Sequence, residues 1–135
     1  MTIANYCLLV ACVLPIVCAG WAKAGTFSKP PSEGGYDNRD PRAWLAKQTG
    51  LRARANAAQA NSFEALPIFI AGVLVAQQAG ARQAWVDGLA VAFVAVRVIY
   101  IILYLQDRAS LRSLVWMTGF GLCAALFLLA PFGSR

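Results

Sequence analysis

Four stretches of the chain are almost wholly apolar: Asn5 to Trp21, Ala57 to Ala76, Trp85 to Leu105 and Leu111 to Phe132. About 20 apolar residues cross the hydrocarbon core of a bilayer as a helix, and each stretch reaches or approaches that length. In lipid a lone segment satisfies its own backbone N–H and C=O groups only as a helix. The pattern therefore predicts four membrane-spanning helices, over about 5–22, 50–78, 82–107 and 111–131, with Pro131 and Gly133 closing the last. Between the first two lies a polar stretch, 23–49, with Pro30, Pro31, Gly34, Gly35 and Pro41 among alternating charges, which reads as an irregular surface loop. Trp44 and Leu45 in it are expected at the membrane interface or against the end of the bundle. The later links, Ala79 to Arg82 and Arg108 to Ser110, are short, so the second, third and fourth helices should be antiparallel neighbours. Pro67 should kink the second helix by removing a backbone donor. The fold class is all-α: an integral membrane four-helix bundle filling residues 1–135 as one domain.

Composition agrees. Of 135 residues, 59% are hydrophobic and only 13% charged, about half the charged share of a soluble domain. No separate soluble domain fits. The first stretch is read as a permanent helix and not a cleaved signal, because no basic residue precedes Lys23 and Val17, not a small residue, precedes Cys18.

The net charge is +6, and its distribution accounts for it. Lys23, Lys29, Arg39, Arg42, Lys47, Arg52 and Arg54 sit in or beside the first loop, and Arg108 and Arg112 at the third link. Only Arg82 and Arg135 lie on the opposite side. Lysine and arginine collect in cytoplasmic loops, so the first and third links are expected in the cytoplasm and both termini outside it, in a bacterial inner membrane. Topology explains the basic excess, and no nucleic-acid partner is expected. The cysteines, Cys7, Cys12, Cys18 and Cys123, form no CxxC pair, and histidine is absent. They read as small buried hydrophobes, and no metal site is expected.

An ionisable side chain inside lipid costs at least a few kcal/mol unless paired or wet, so the polar residues within the spans carry the functional signal. On the second helix Asn61 and Glu64 are three apart and share a face, with Arg54 two turns below. On the third, Arg97, Tyr100 and Tyr104 form one stripe. On the fourth, Arg112 and Ser113 lie in the first turn, where free backbone amides add positive potential. Glu64 and Arg97 fall at similar depth in antiparallel neighbours, so they are expected to pair as the floor of a polar cavity walled by Arg54, Tyr100, Tyr104 and Arg112. The alternative is a purely structural pair that holds two helices in register. Three arginines against one glutamate favour an anionic ligand.

Two motifs in this order resemble the MAPEG family, the membrane-associated proteins in eicosanoid and glutathione metabolism. One is Arg54 with the run Ala60 to Phe69; the other is Arg97-Val98-Ile99-Tyr100, Tyr104 and the run Leu111 to Trp116. The resemblance extends from about Gly50 to Leu129 and is nearest the shorter bacterial branch. It implies a homotrimer of four-helix bundles with glutathione as co-substrate near the cytoplasmic side, between subunits. Asn61 and Glu64 would hold the peptide's amine and backbone. Arg54, Arg97, Tyr104 and Arg112 would line the site, and Arg112 and Ser113 would stabilise or activate the thiolate. The sequence departs from the catalytic pattern at Ala57 and Ala60, where a further basic or polar residue is usual, and Tyr100 replaces a histidine of some relatives.

The expected function is a membrane-bound, glutathione-dependent transferase or peroxidase acting on lipophilic small molecules that arrive from membrane lipid. The alternative is a non-catalytic relative, an accessory subunit or lipid-binding trimer. Transport is disfavoured, because the chain shows neither inverted repeats nor broken half-helices.

Overall fold

A computed structural model describes residues 1–129. The expected end of the last helix at 131, with Pro131, Gly133 and Arg135, lies outside the described residues. The helices are α1 (Ile3–Lys23), α2 (Pro41–Ala46), α3 (Gly50–Gln78), α4 (Gln83–Leu105) and α5 (Ala109–Leu129). There is no strand among the described residues. α1, α3, α4 and α5 are each long and apolar enough to cross a membrane. At 1.5 Å per residue α3, with 29 residues, is roughly 44 Å long. It outreaches a hydrocarbon core of about 30 Å, so its first turns, with Arg52 and Arg54, project beyond the apolar layer.

The packing rests on small residues at helical spacing. Ala55, Ala58, Ser62, Phe69, Gly72, Val73 and Ala76 form the buried stripe of α3, and Ala4, Cys7, Ala11, Pro15, Cys18 and Ala22 that of α1. α1 lies along α3, and α5 packs on both α3 and α4. Where lipid already surrounds the helices, close backbone approach is a main source of association. A Cβ on Gly72 would come within 3.2 Å of the Leu126 Cβ, so this glycine sets the closeness of α3 and α5. Phe69 and Phe93 stack between α3 and α4, ring centres 4.0 Å apart.

The register of α3 against α4 follows from two cross-helix hydrogen bonds. Arg54 Nε donates to the Leu105 carbonyl at 3.1 Å, and Arg97 Nη2 donates to Ser62 Oγ at 3.2 Å. Eight residues separate the pair on each helix, as antiparallel neighbours of equal pitch require.

At the end away from the arginines, a polar knot joins three helices. Asp87 Oδ1 accepts from the Ala4 backbone N–H at 2.7 Å and from Gln83 Nε2 at 2.8 Å, and Gln77 Nε2 donates to Thr2 Oγ1 at 3.0 Å. Asp87 on α4 thus caps the N-terminus of α1, where a carboxylate also complements the helix dipole. Sequence reasoning passed over Asp87, because its partner is a backbone amide 83 residues away. Replacing Asp87 with alanine leaves that amide without its acceptor and should cost about 2–3 kcal/mol. Thermal unfolding in detergent should show the loss, with Asp87→Asn, which retains an acceptor oxygen, falling between.

Turns and bends fill much of the stretch 23–49, as expected, and the 3-10 turn Pro31–Glu33 and the short helix α2 add order to it as a cap. Asp40 accepts from Ala43 N at 3.2 Å, and Pro41 opens α2, an N-cap with proline at the first helical position. Tyr36 packs edge-on between Phe27 and Trp44, and Lys23 Nζ lies 4.5 Å from its ring centre. Trp44 is buried, packed into this cap. Arg52 Nη2 donates to the Ala24 carbonyl and ties the cap to α3.

Candidate functional site

On α4, Val86, Ala90, Phe93, Arg97 and Tyr100 make one buried stripe. Arg97 occupies a core position and is only 4% exposed. Its guanidinium lies 4.2 Å from the centre of the Tyr100 ring, and its hydrogen bond goes to the neutral hydroxyl of Ser62.

The expected Glu64–Arg97 pair is therefore corrected. Ser62, not Glu64, is level with Arg97. Two residues along a helix turn the side chain by about 200°, so Ser62 and Glu64 point to opposite sides of α3. Ser62 is buried against α4, whereas Glu64 is exposed and accepts from Asn61 Nδ2 at 3.3 Å. Glu64 and Arg97 nonetheless meet on the wall of one cleft, with Asn61, Ala65 and Ile68 of α3, Phe93 of α4, and Trp116, Gly119, Phe120 and Cys123 of α5. Asn61 Oδ1 is buried there without a hydrogen-bond partner among the described residues.

The single cavity expected is divided in two. Tyr100, Tyr104, Arg112, Ser113, Trp116 and Met117 line a second hollow nearer the arginine-rich end. Arg112 lies 4.0 Å from the centre of the Tyr104 ring, and Tyr104 meets Tyr100 edge-on at 5.7 Å. Arg97, Tyr100, Tyr104 and Arg112 thus form a continuous cation–aromatic ladder, each cation–ring contact worth about 0.5–2 kcal/mol. Trp116 borders both hollows and stacks on Phe120 at 5.7 Å. The sequence signal for Trp116 was its spacing: Arg112, Trp116 and Phe120 recur every four residues along one face of α5.

Two candidate residues are engaged within the fold. Arg54 caps the carboxyl end of α4 through the Leu105 carbonyl and lines neither hollow. Ser113 Oγ donates to the Ala109 carbonyl at 3.2 Å, so its one hydroxyl proton is committed to its own helix while its lone pairs stay free to accept. No group of three or more histidine, cysteine or acidic side chains fit to hold a metal occurs among the described residues.

Four apolar spans around a buried arginine and a cleft of mixed polarity define an integral membrane protein with a polar site inside the bundle. The chain belongs to the MAPEG family, whose family model matches residues 3–132, nearly its whole length. It is a membrane protein of the family associated with glutathione and eicosanoid metabolism. No curated protein and no solved structure matches it.

Proposed function

We propose that the chain binds glutathione at the cleft beside Arg97 and joins its thiolate sulfur to, or uses it to reduce, lipophilic molecules. The observation that carries this reading is Arg97. A guanidinium has five N–H donors and keeps its charge, and burying a charge is costly unless it is paired. Here it is held by a neutral hydroxyl and an aromatic face, on the wall of a cleft. An anionic ligand would supply the missing partner. Glu64 and the unpartnered Asn61 Oδ1 offer acceptors for an ammonium or amide N–H, so the wall suits a ligand with both signs of charge, as a small peptide has.

Arg112 fits the role of thiol activation. It stands in the first turn of α5, beside the ring of Tyr104, where the helix N-terminus adds positive potential. A neighbouring guanidinium lowers a thiol's pKa and raises its thiolate fraction. Ser113 can accept from the thiol, but it can donate to a thiolate only after leaving the Ala109 carbonyl. Tyr100 and Tyr104 position the ligand between the two arginines.

We place the arginine-rich end in the cytoplasm from the distribution of lysine and arginine. Glu64, exposed on a membrane-spanning helix, is expected to be covered by a second copy of the chain, which favours a homotrimer. Native mass spectrometry should show the trimer for the wild type and its loss or weakening for Glu64→Leu; an intact trimer in that variant contradicts the assignment of Glu64 to the subunit interface.

One observation favours a non-catalytic reading. Arg54 and Ser113 both spend hydrogen bonds on backbone carbonyls, as structural residues do. Equilibrium binding of glutathione separates the two: no binding at millimolar ligand, with the assembly intact, rejects the enzyme.

A further inference from the structure

α1 carries a proline, Pro15, in its interior. Pro15 lacks the N–H that would donate to the Ala11 carbonyl four residues back, and its ring pushes that carbonyl away from the helix. In a membrane-spanning helix a carbonyl freed in this way needs another donor. Where the proline sits decides what that donor can be. Pro67 and Phe63, the matching pair on α3, lie on the exposed face of their helix. Pro15 and Ala11 are buried, so the Ala11 carbonyl has to find its donor inside the bundle.

Helix carbonyls point toward the C-terminal end, so that of Ala11 points into the turn 11–15. Ala11 and Leu14 of this turn line a small hollow together with Ser62 of α3 and Arg97 of α4, and Leu66 and Phe93 are among its apolar walls. The hollow leaves about 10 Å³ for the centre of a water molecule, close to the roughly 10–15 Å³ that one water needs. A buried water also needs about two to four polar partners. Here the Ala11 carbonyl, Ser62 and Arg97 supply them. A guanidinium has five N–H donors, and Arg97 Nη2 is bonded to Ser62 Oγ at 3.2 Å. Ser62 accepts that bond and keeps its own hydroxyl proton to donate. Ser113 and Thr118 differ, since each donates to a carbonyl of its own helix.

We propose that a single water molecule sits in this hollow, accepting from Arg97 and the Ser62 hydroxyl and donating to the Ala11 carbonyl that Pro15 sets free. Pro15 makes the site by removing a donor. With an amide at position 15, α1 would close on itself and the water would lose its acceptor. The water ties α1 to α4 in the middle of the bundle. Among the described residues, the direct hydrogen bonds of α1 to other helices lie at its ends, at Thr2, Ala4 and Asn5 and at Ala24. Arg97 lines both this hollow and the cleft between α3 and α5, so protein and water hold its inner side while other N–H groups remain for a ligand. The site goes beyond the glutathione reading and does not depend on it.

The test is solid-state NMR of the full chain in phospholipid bilayers, with alanine labelled at the ¹³C carbonyl and cysteine with ¹⁵N. Ala11-Cys12 is the one Ala-Cys step in the sequence, so carbonyl-to-nitrogen transfer selects the Ala11 carbonyl alone. In the wild type this carbonyl should show a cross-peak to protons at the water frequency, lost on exchange into heavy water. Pro15→Ala restores the amide donor, so the water cross-peak should vanish and one to an amide proton should replace it. This variant keeps an ordinary helix and is expected to fold. Ser62→Val fills the hollow and removes the hydroxyl, and should abolish the water cross-peak as well. A folded wild type without that cross-peak, or a cross-peak that survives in both variants, overturns the proposal. No glutathione is present in any arm, so failure of the protein to bind glutathione would overturn the thiol-transfer reading and leave this result standing.

Discussion

Replacing Arg97 with methionine should weaken glutathione binding by about 10- to 100-fold, since hydrogen bonds to a charged group contribute roughly 1.5–3 kcal/mol. The same change should leave the free protein as stable as before, or more so. Arg97 is 4% exposed and held by Ser62 and the Tyr100 ring; exchanging a buried charge for an apolar side chain of similar volume is often neutral or stabilising. Calorimetric titration and thermal unfolding should therefore move apart: affinity falls while the melting temperature holds. A side chain present only to fasten α3 to α4 would give the opposite result, lower stability with ligand binding unchanged in the protein that remains folded.

Arg112→Ala is the second large effect. If Arg112 holds the bound thiol in its ionised form, removing it returns that group's pKa upward toward the free value, by about 1–3 units for loss of one close opposite charge. Thiolate is the reactive form, so the rate at neutral pH should fall about 10- to 1000-fold. The low-pH limb of the rate profile should shift to higher pH, so that activity recovers as pH rises. Arg112→Lys keeps the charge but not the planar guanidinium that faces Tyr104, and should retain part of the rate. A uniform loss at every pH would mean that Arg112 positions the ligand and does not ionise it.

The fold was legible in the sequence wherever apolar length decided it. Four spans of sufficient length leave few alternatives in lipid, and the turn residues mark the links between them. Proline and glycine make 23–49 read as loop, although Asp40-Pro41 is an N-cap signal in its own right. Its stability comes from Tyr36, Phe27 and Trp44 meeting, and pairwise aromatic contact leaves no periodic trace.

The sequence marks most residues that line the two hollows but not how they face one another. Asn61, Glu64, Arg97, Tyr100, Tyr104 and Arg112 all line one hollow or the other, because polar residues in a span have few places to be. The pairing of Glu64 with Arg97 follows from depth alone and fails on facing. Depth puts the two within a turn of each other, but facing is set by 100° steps, and the stripe Ala55, Ala58, Ser62 lies on the buried side of α3, away from Glu64. Trp116 and Asp87 escaped for different reasons: one is an aromatic residue common at any membrane boundary, and the other bonds to a backbone amide that no sequence pattern exposes.

Titration of purified, assembled protein with glutathione, wild type beside Arg97→Met, bears most directly on the buried guanidinium as an anion site. The account predicts saturable binding at millimolar concentration or below in the wild type, and affinity at least about tenfold weaker in the variant. Equal binding by both proteins, or none by an intact wild-type assembly, would contradict it.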